Sequence, residues 1–254
     1  MTYHKILYEA QDGIARITLN RPEKRNALNG EIVAELKAAI NETGRDPQCR
    51  VVLLSGAGKD FCSGADLEGL DKTAQADILD NMAGARQTAE LFLMMRKHPR
   101  PILAAVQGRA LAGGCGLATA CDIILAAESA QFGYPEVNIG FVPAMVMAIL
   151  RRSISEKAAL ELVVTGETIS AARAHELGLI HRIYSDDQFA TEVTAYSKRL
   201  AAKSASAIML SKRLLYNMDP MSFEAALEAG VEINAIARMT EDCRKGVERF
   251  LRKT

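Results

Sequence analysis

Apolar and polar positions divide the chain into strand-like and helix-like stretches. Residues 5–10 and 14–20 read as two strands about an Asp12-Gly13 dipeptide, which predicts a hairpin. Arg21 and Pro22 end the second strand, and residues 24–29 (KRNALN) are polar and turn-like. Asn29 is placed to cap a helix over residues 30–41, where Ile32, Val33, Leu36, Ala39 and Ile40 fall at helical spacing. Residues 51–54 (VVLL) are continuously apolar, as in a strand covered on both faces. They run into a glycine-rich loop at 55–69 and a polar stretch at 72–80, read as mobile. Residues 81–97 predict a helix with Leu91, Met94 and Met95 on one side, stopped by Pro99 and Pro101. Residues 102–106 and 123–127 are further buried-strand runs, with a glycine-opened segment between them. Strand, helix, strand at this spacing predicts parallel pairing and an α/β fold. After Glu136 the pattern turns helical, over 144–151, 156–164, 171–177, 187–203, 205–217, 223–238 and 241–251. Beyond about residue 195 no strand signal remains. The expected division is therefore a core of residues 1–195 and a helical region of residues 196–254.

Composition narrows the class. The 254 residues are 49% hydrophobic and 24% charged, enough for a sizeable globular core. Lys and Arg number 31 and Asp and Glu 31, for a net charge of zero. That balance argues against a nucleic-acid or membrane-surface partner and does little to oppose self-association. The five cysteines are odd in number and form no C-x-x-C, so they read as reduced thiols. The first residues lack the apolar core of a secretory signal, and no apolar run reaches the roughly 20 residues of a membrane helix. A cytoplasmic protein with no membrane association is expected.

Residues 107–136 (QGRALAGGCGLATACDIILAAESAQFGYPE) carry the densest chemistry. Gly113, Gly114 and Gly116 allow close approach to backbone N–H groups, and at a helix start those groups lack internal partners and carry partial positive charge. Glu136, beside the rigid Pro135, is a candidate base. Other motifs fail. GAGKD at 56–60 lacks the P-loop pattern, because Leu53 and Asp60 stand where Gly and Ser or Thr are needed. No G-x-G-x-x-G lies near Gly113. His175 and His181 are six residues apart, too far for H-E-x-x-H. Ser63 lacks the glycines of a nucleophile elbow, and Cys62 reads as a buried structural thiol.

FCSGADL (61–67), ALAGGCGLATACD (110–122), QFGYPE (131–136) and GLIHRI (178–183) together resemble the enoyl-CoA hydratase/isomerase, or crotonase, superfamily. The resemblance implies a crotonase-like spiral of β-β-α units with a helical C-terminal region, assembled as a homotrimer or hexamer. It implies an acyl-CoA thioester substrate with no separate cofactor or metal. By motif position the backbone N–H groups of Ser63 and Gly113 would form an oxyanion hole for the thioester carbonyl. Arg25, Ala27, Gly64, Ala65, Asp66 and Leu67 would contact coenzyme A, joined by Phe250 and Lys253 from a neighbouring subunit. Family hydratases use two glutamates, which map to Gly116 and Glu136. With the first absent, the expectation is single-glutamate Δ3-Δ2 enoyl-CoA isomerisation. Hydration of 2-enoyl-CoA and a catalytically silent CoA-binding member are the alternatives. After Pro143, where hydratases are glycine-rich, Ala144, Met145, Val146 and Met147 would reshape the acyl end of the pocket.

Overall fold

In the computed structural model, which describes residues 2–66 and 76–252, β1 (Ile6–Gln11) and β2 (Ile14–Leu19) pair antiparallel across the Asp12-Gly13 turn. Then come β3 (Val51–Gly56), β4 (Ile102–Val106), β5 (Arg109–Leu111), β6 (Ile123–Ala127), β7 (Gln131–Gly133), β8 (Thr168–Ser170) and β9 (Arg182–Tyr184). The main sheet has the order β1-β2-β3-β4-β6-β9 and is parallel from β2 onward. A small second sheet, β5-β7-β8, pairs β5 with β7 in parallel and β7 with β8 antiparallel. The architecture is mixed α/β and ends in helices, consistent with the fold that the resemblance implies. The four strands β5, β7, β8 and β9 have three residues each, too short to leave a period in the sequence.

Asn29 caps α1 (Gly30–Arg45) as its position suggests, its side chain accepting from the N–H of Ile32 at 2.9 Å. The helix continues one turn beyond the expected end. Asp77 caps α2 (Ile78–Lys97), accepting from the N–H groups of Leu79 and Asp80. Helix therefore begins inside the stretch read as mobile; residues 72–75 of it lie outside the described residues. The glycine-opened segment is α3 (Gly113–Thr119).

The alternation along β3 shows why its run is unbroken. Val52 and Leu54 face the larger core with Ile32, Leu36, Leu91 and Met95, whereas Val51 and Leu53 face a second cluster. That second face is covered by α7 (Phe189–Ala201), through Val193, Tyr196 and Leu200. α4 (Ala144–Ser153), α5 (Glu156–Thr165) and α6 (Ala171–Glu176) precede α7, and α8 (Ala205–Asn217), α9 (Phe223–Met239) and α10 (Glu241–Leu251) follow it. The expected boundary at 195/196 thus falls inside α7, whose Val193 and Tyr196 share one packing surface.

A buried clasp ties α8 to the sheet. The carboxylate of Asp122 accepts from Ile102 N, Lys212 Nζ and Tyr216 OH, each at 2.7 Å. Lys212 also donates to the carbonyls of Met95 and Arg100. By contrast, α9 and α10 bury no residue at all and expose Phe223, Leu227, Val231 and Phe250. Among the described residues, no helix is long and apolar enough to cross a membrane.

Candidate active site

Three segments meet past the ends of the short strands. β5 and β7 run parallel with Leu111 opposite Gly133, so Gly113 and Glu136 both emerge from the same edge. The N–H of Ala112 donates to Gly133 O at 2.8 Å and fixes that corner. Cys62 pairs with Ala110 and accepts from Leu111 N at 3.0 Å, which brings residues 62–66 alongside. Ala112 has φ +49° and ψ −128°, a strained positive-φ conformation for alanine outside the αL region, held immediately before the first N–H of α3.

The hydrogen-bond register decides which N–H groups are open. Ser63 N donates to Arg25 O at 3.0 Å and is not available to a ligand. The expected donor at Ser63 is therefore corrected. Three residues on, Asp66 N donates to Leu28 O, and Gly64 O accepts from Leu28 N. In an extended segment alternate groups point to opposite sides, so Ala65 N–H faces away from Leu28. Neither Ala65 N nor Gly113 N has a partner among the described residues. Gly64 lets the two segments touch. Its φ is +108°, and a Cβ built there would stand 2.8 Å from Ala112 Cβ and 3.7 Å from Gly113 N.

Glu136 lies in the first turn of a short 3-10 helix, Pro135–Ile139, and is 9% exposed. Its Oε2 is buried without a hydrogen-bond partner. Burial pushes its carboxyl above the ordinary carboxylate range. Below it, Tyr134 OH and Thr119 Oγ1 bond at 2.9 Å, and Thr119 donates to Cys115 O at 2.7 Å, bracing α3 against the segment that carries Glu136. Cys62 is fully buried and its thiol is pushed up to about 12, the behaviour of an inert structural thiol.

Gly116, the residue to which the resemblance assigns a second acid, has no room for a side chain. A Cβ built on Gly116 would lie 2.0 Å from Val146 Cγ1, 3.1 Å from Val146 Cβ and 3.7 Å from Phe92 Cζ. Contacts between carbons sit near 3.5–4.0 Å.

The lip of the site is built by residues that the sequence did not single out. Asn26 is fully buried in a left-handed turn, with φ +56°. Its Oδ1 accepts from Arg21 N at 2.9 Å, and its Nδ2 donates to Ala57 O at 2.9 Å and Asp60 O at 2.8 Å. Arg21 donates to Ala27 O at 3.1 Å and pairs with Asp66 Oδ2 at 2.8 Å. The carboxylate of Asp66 is thus turned inward as a brace. Ala27 is buried, and Arg25 is exposed with its Nε 4.0 Å from Asp60. Leu67 and Lys253 lie outside the described residues, and Phe250 is 71% exposed on α10. Among the described residues no cluster of three His, Cys, Asp or Glu side chains is placed to hold a metal.

Residues 9–254 match the family model described as Enoyl-CoA hydratase/isomerase. The chain belongs to the enoyl-CoA hydratase/isomerase family. It is an enzyme of that family's lyase or isomerase type. It is 35% identical over 261 residues to the Mycobacterium bovis protein named "Probable enoyl-CoA hydratase echA8", covering 100% of this chain and 97% of the relative. It is 32% identical over 243 residues to "Enoyl-CoA hydratase domain-containing protein 3, mitochondrial" of Rattus norvegicus, covering 96% and 80%. Among solved structures, the enoyl-CoA hydratase of Mycobacterium smegmatis superposes with a TM-score of 0.94 at 31% identity, over 98% of this chain and 97% of that one.

Proposed function

We propose that this member isomerises 3-enoyl-CoA to 2-enoyl-CoA with Glu136 as its one side-chain acid/base. The thioester oxygen of the substrate would sit on the N–H groups of Ala65 and Gly113. Glu136 would take a proton from the α-carbon and leave an enolate. It would then return the proton to the γ-carbon, moving the double bond from C3–C4 to C2–C3. A carboxyl held above its ordinary range by burial suits a group that must both take and give a proton. Each backbone donor aimed at the developing oxyanion contributes about 10²–10³ in rate. The observation that carries the reading is the closed Gly116 position, because hydration needs a second group to handle water.

Arg25 supports coenzyme binding through an exposed guanidinium at the lip, suited to phosphate. Gly64, Ala65, Ala27 and the backbone of Asp66 would line the same lip, and coenzyme A would arrive as part of the substrate. The unburied apolar faces of α9 and α10 favour a homotrimer or hexamer, with residues 196–254 as the assembling region and Phe250 near a neighbour's site. Hydration is the second reading, favoured by the printed names of the relatives. The test compares initial rates of the purified protein on 3-enoyl-CoA and 2-enoyl-CoA. Faster isomerisation is expected; faster hydration would refute the single-carboxylate reading, and no turnover of either would favour a silent CoA-binding member. Light scattering at micromolar concentration tests the assembly, which a monomer would contradict.

A further inference from the structure

We propose that Val146 is the specificity-determining residue of this site. Its side chain fills the space that a second acid and its water would need. The inference rests on the single-carboxylate reading above and names what enforces it. The absence of an acid at Gly116 would leave room for a water if nothing else had moved in. Here the room is taken, since a single added carbon at Gly116 would meet Val146 Cγ1 at 2.0 Å.

The plug is rigid. Val146 is 4% exposed and Phe92 6%, and Leu150, one turn further along α4, is fully buried. A β-branched side chain in a helix has one strongly preferred rotamer, so Val146 cannot swing aside at low cost. The contact is also apolar. A buried water needs two to four polar partners, and the Val146 and Phe92 side chains give it none. Base and plug share one segment: Glu136 O accepts from Phe141 N at 2.9 Å, and Pro143 O accepts from Met147 N at 3.1 Å where α4 begins. Glu136 and Val146 are thus set ten residues apart on one continuous, hydrogen-bonded segment.

The test couples the two positions. Gly116→Ala and Gly116→Glu are each made alone and together with Val146→Gly, and Tm and both rates are measured. Overpacking at Gly116 should lower Tm by roughly 5 °C or more. Adding Val146→Gly should recover at least about half of that loss, although Val146→Gly alone lowers Tm through a helical glycine and a cavity. The Gly116→Glu/Val146→Gly double variant should hydrate 2-enoyl-CoA at least about tenfold faster than wild type, with Gly116→Glu alone showing no gain. Wild-type Tm in Gly116→Ala would overturn the proposal, as would a double variant that hydrates no better than Gly116→Glu alone. A wild type that hydrates faster than it isomerises would instead refute the proposed function. The Tm coupling would still decide whether Val146 occupies the space.

Discussion

Replacing Asn26 with alanine should unfasten the lip of the site. The side chain makes three hydrogen bonds from a fully buried position, to Arg21 N, Ala57 O and Asp60 O. Each is worth about 1 kcal/mol net, and the partners left behind are denied water. Alanine also fits the left-handed backbone at φ +56° less well than asparagine, by about 1 kcal/mol. The expected loss is about 3–5 kcal/mol, or roughly 10 °C in Tm for a chain of this size. Asn26→Asp is the sharper comparison. It keeps the acceptor for Arg21 N but sets a carboxylate against two carbonyl oxygens, so it should destabilise at least as much. Both variants should raise the KM for acyl-CoA, because the same turn holds Arg25 and, through Arg25 O, the segment of Ser63 to Asp66. Thermal denaturation followed by circular dichroism, then steady-state kinetics, checks this. A Tm within about 2 °C of wild type for either variant would refute the reasoning.

Glu136→Gln should lower turnover by about 10²–10⁴ while leaving CoA binding by calorimetry within a few fold, since the proposed carbonyl donors are backbone groups. The same variant reports on linkage. A carboxyl raised in the folded state costs stability as pH climbs from its unfolded value through its folded one, and costs nothing below both. The Tm of Glu136→Gln relative to wild type should therefore be higher at pH 7 than at pH 4, and a difference that is flat or falls with pH would contradict the burial argument. Ser63→Ala should change kcat by less than about twofold, because the Ser63 N–H is engaged with Arg25 O and is kept by alanine. Of the five thiols, Cys49, Cys62, Cys115 and Cys121 are buried and Cys243 is partly exposed. An aromatic disulfide reagent should modify one thiol quickly in the folded protein, and two or more reacting at that rate would count against the packing.

Local signals carried the elements that local physics controls. The Asn29 cap, the Asp12-Gly13 hairpin and the unbroken apolar run of β3 were readable because each depends on neighbours in sequence. The lip was not, because Asn26 binds partners 31 and 34 residues away and Arg21 binds Asp66, 45 residues on. The proposed carbonyl donors lie between these cases. The FCSGADL motif singled out the segment, but which N–H is unpartnered there depends on a register set by Arg25 O and Leu28 O, some forty residues earlier in the chain. Gly116 makes the same point about the chemistry. In the sequence it is only a missing carboxylate, which leaves hydration with some other acid conceivable. In the fold it is one half of a packed contact whose other half, Val146, lies thirty residues further on. The two positions therefore constrain each other. A carboxylate at 116 needs a small residue at 146, and a valine at 146 needs glycine at 116. Either substitution made alone would leave an overpacked core or an added cavity, which is why the two are tested together.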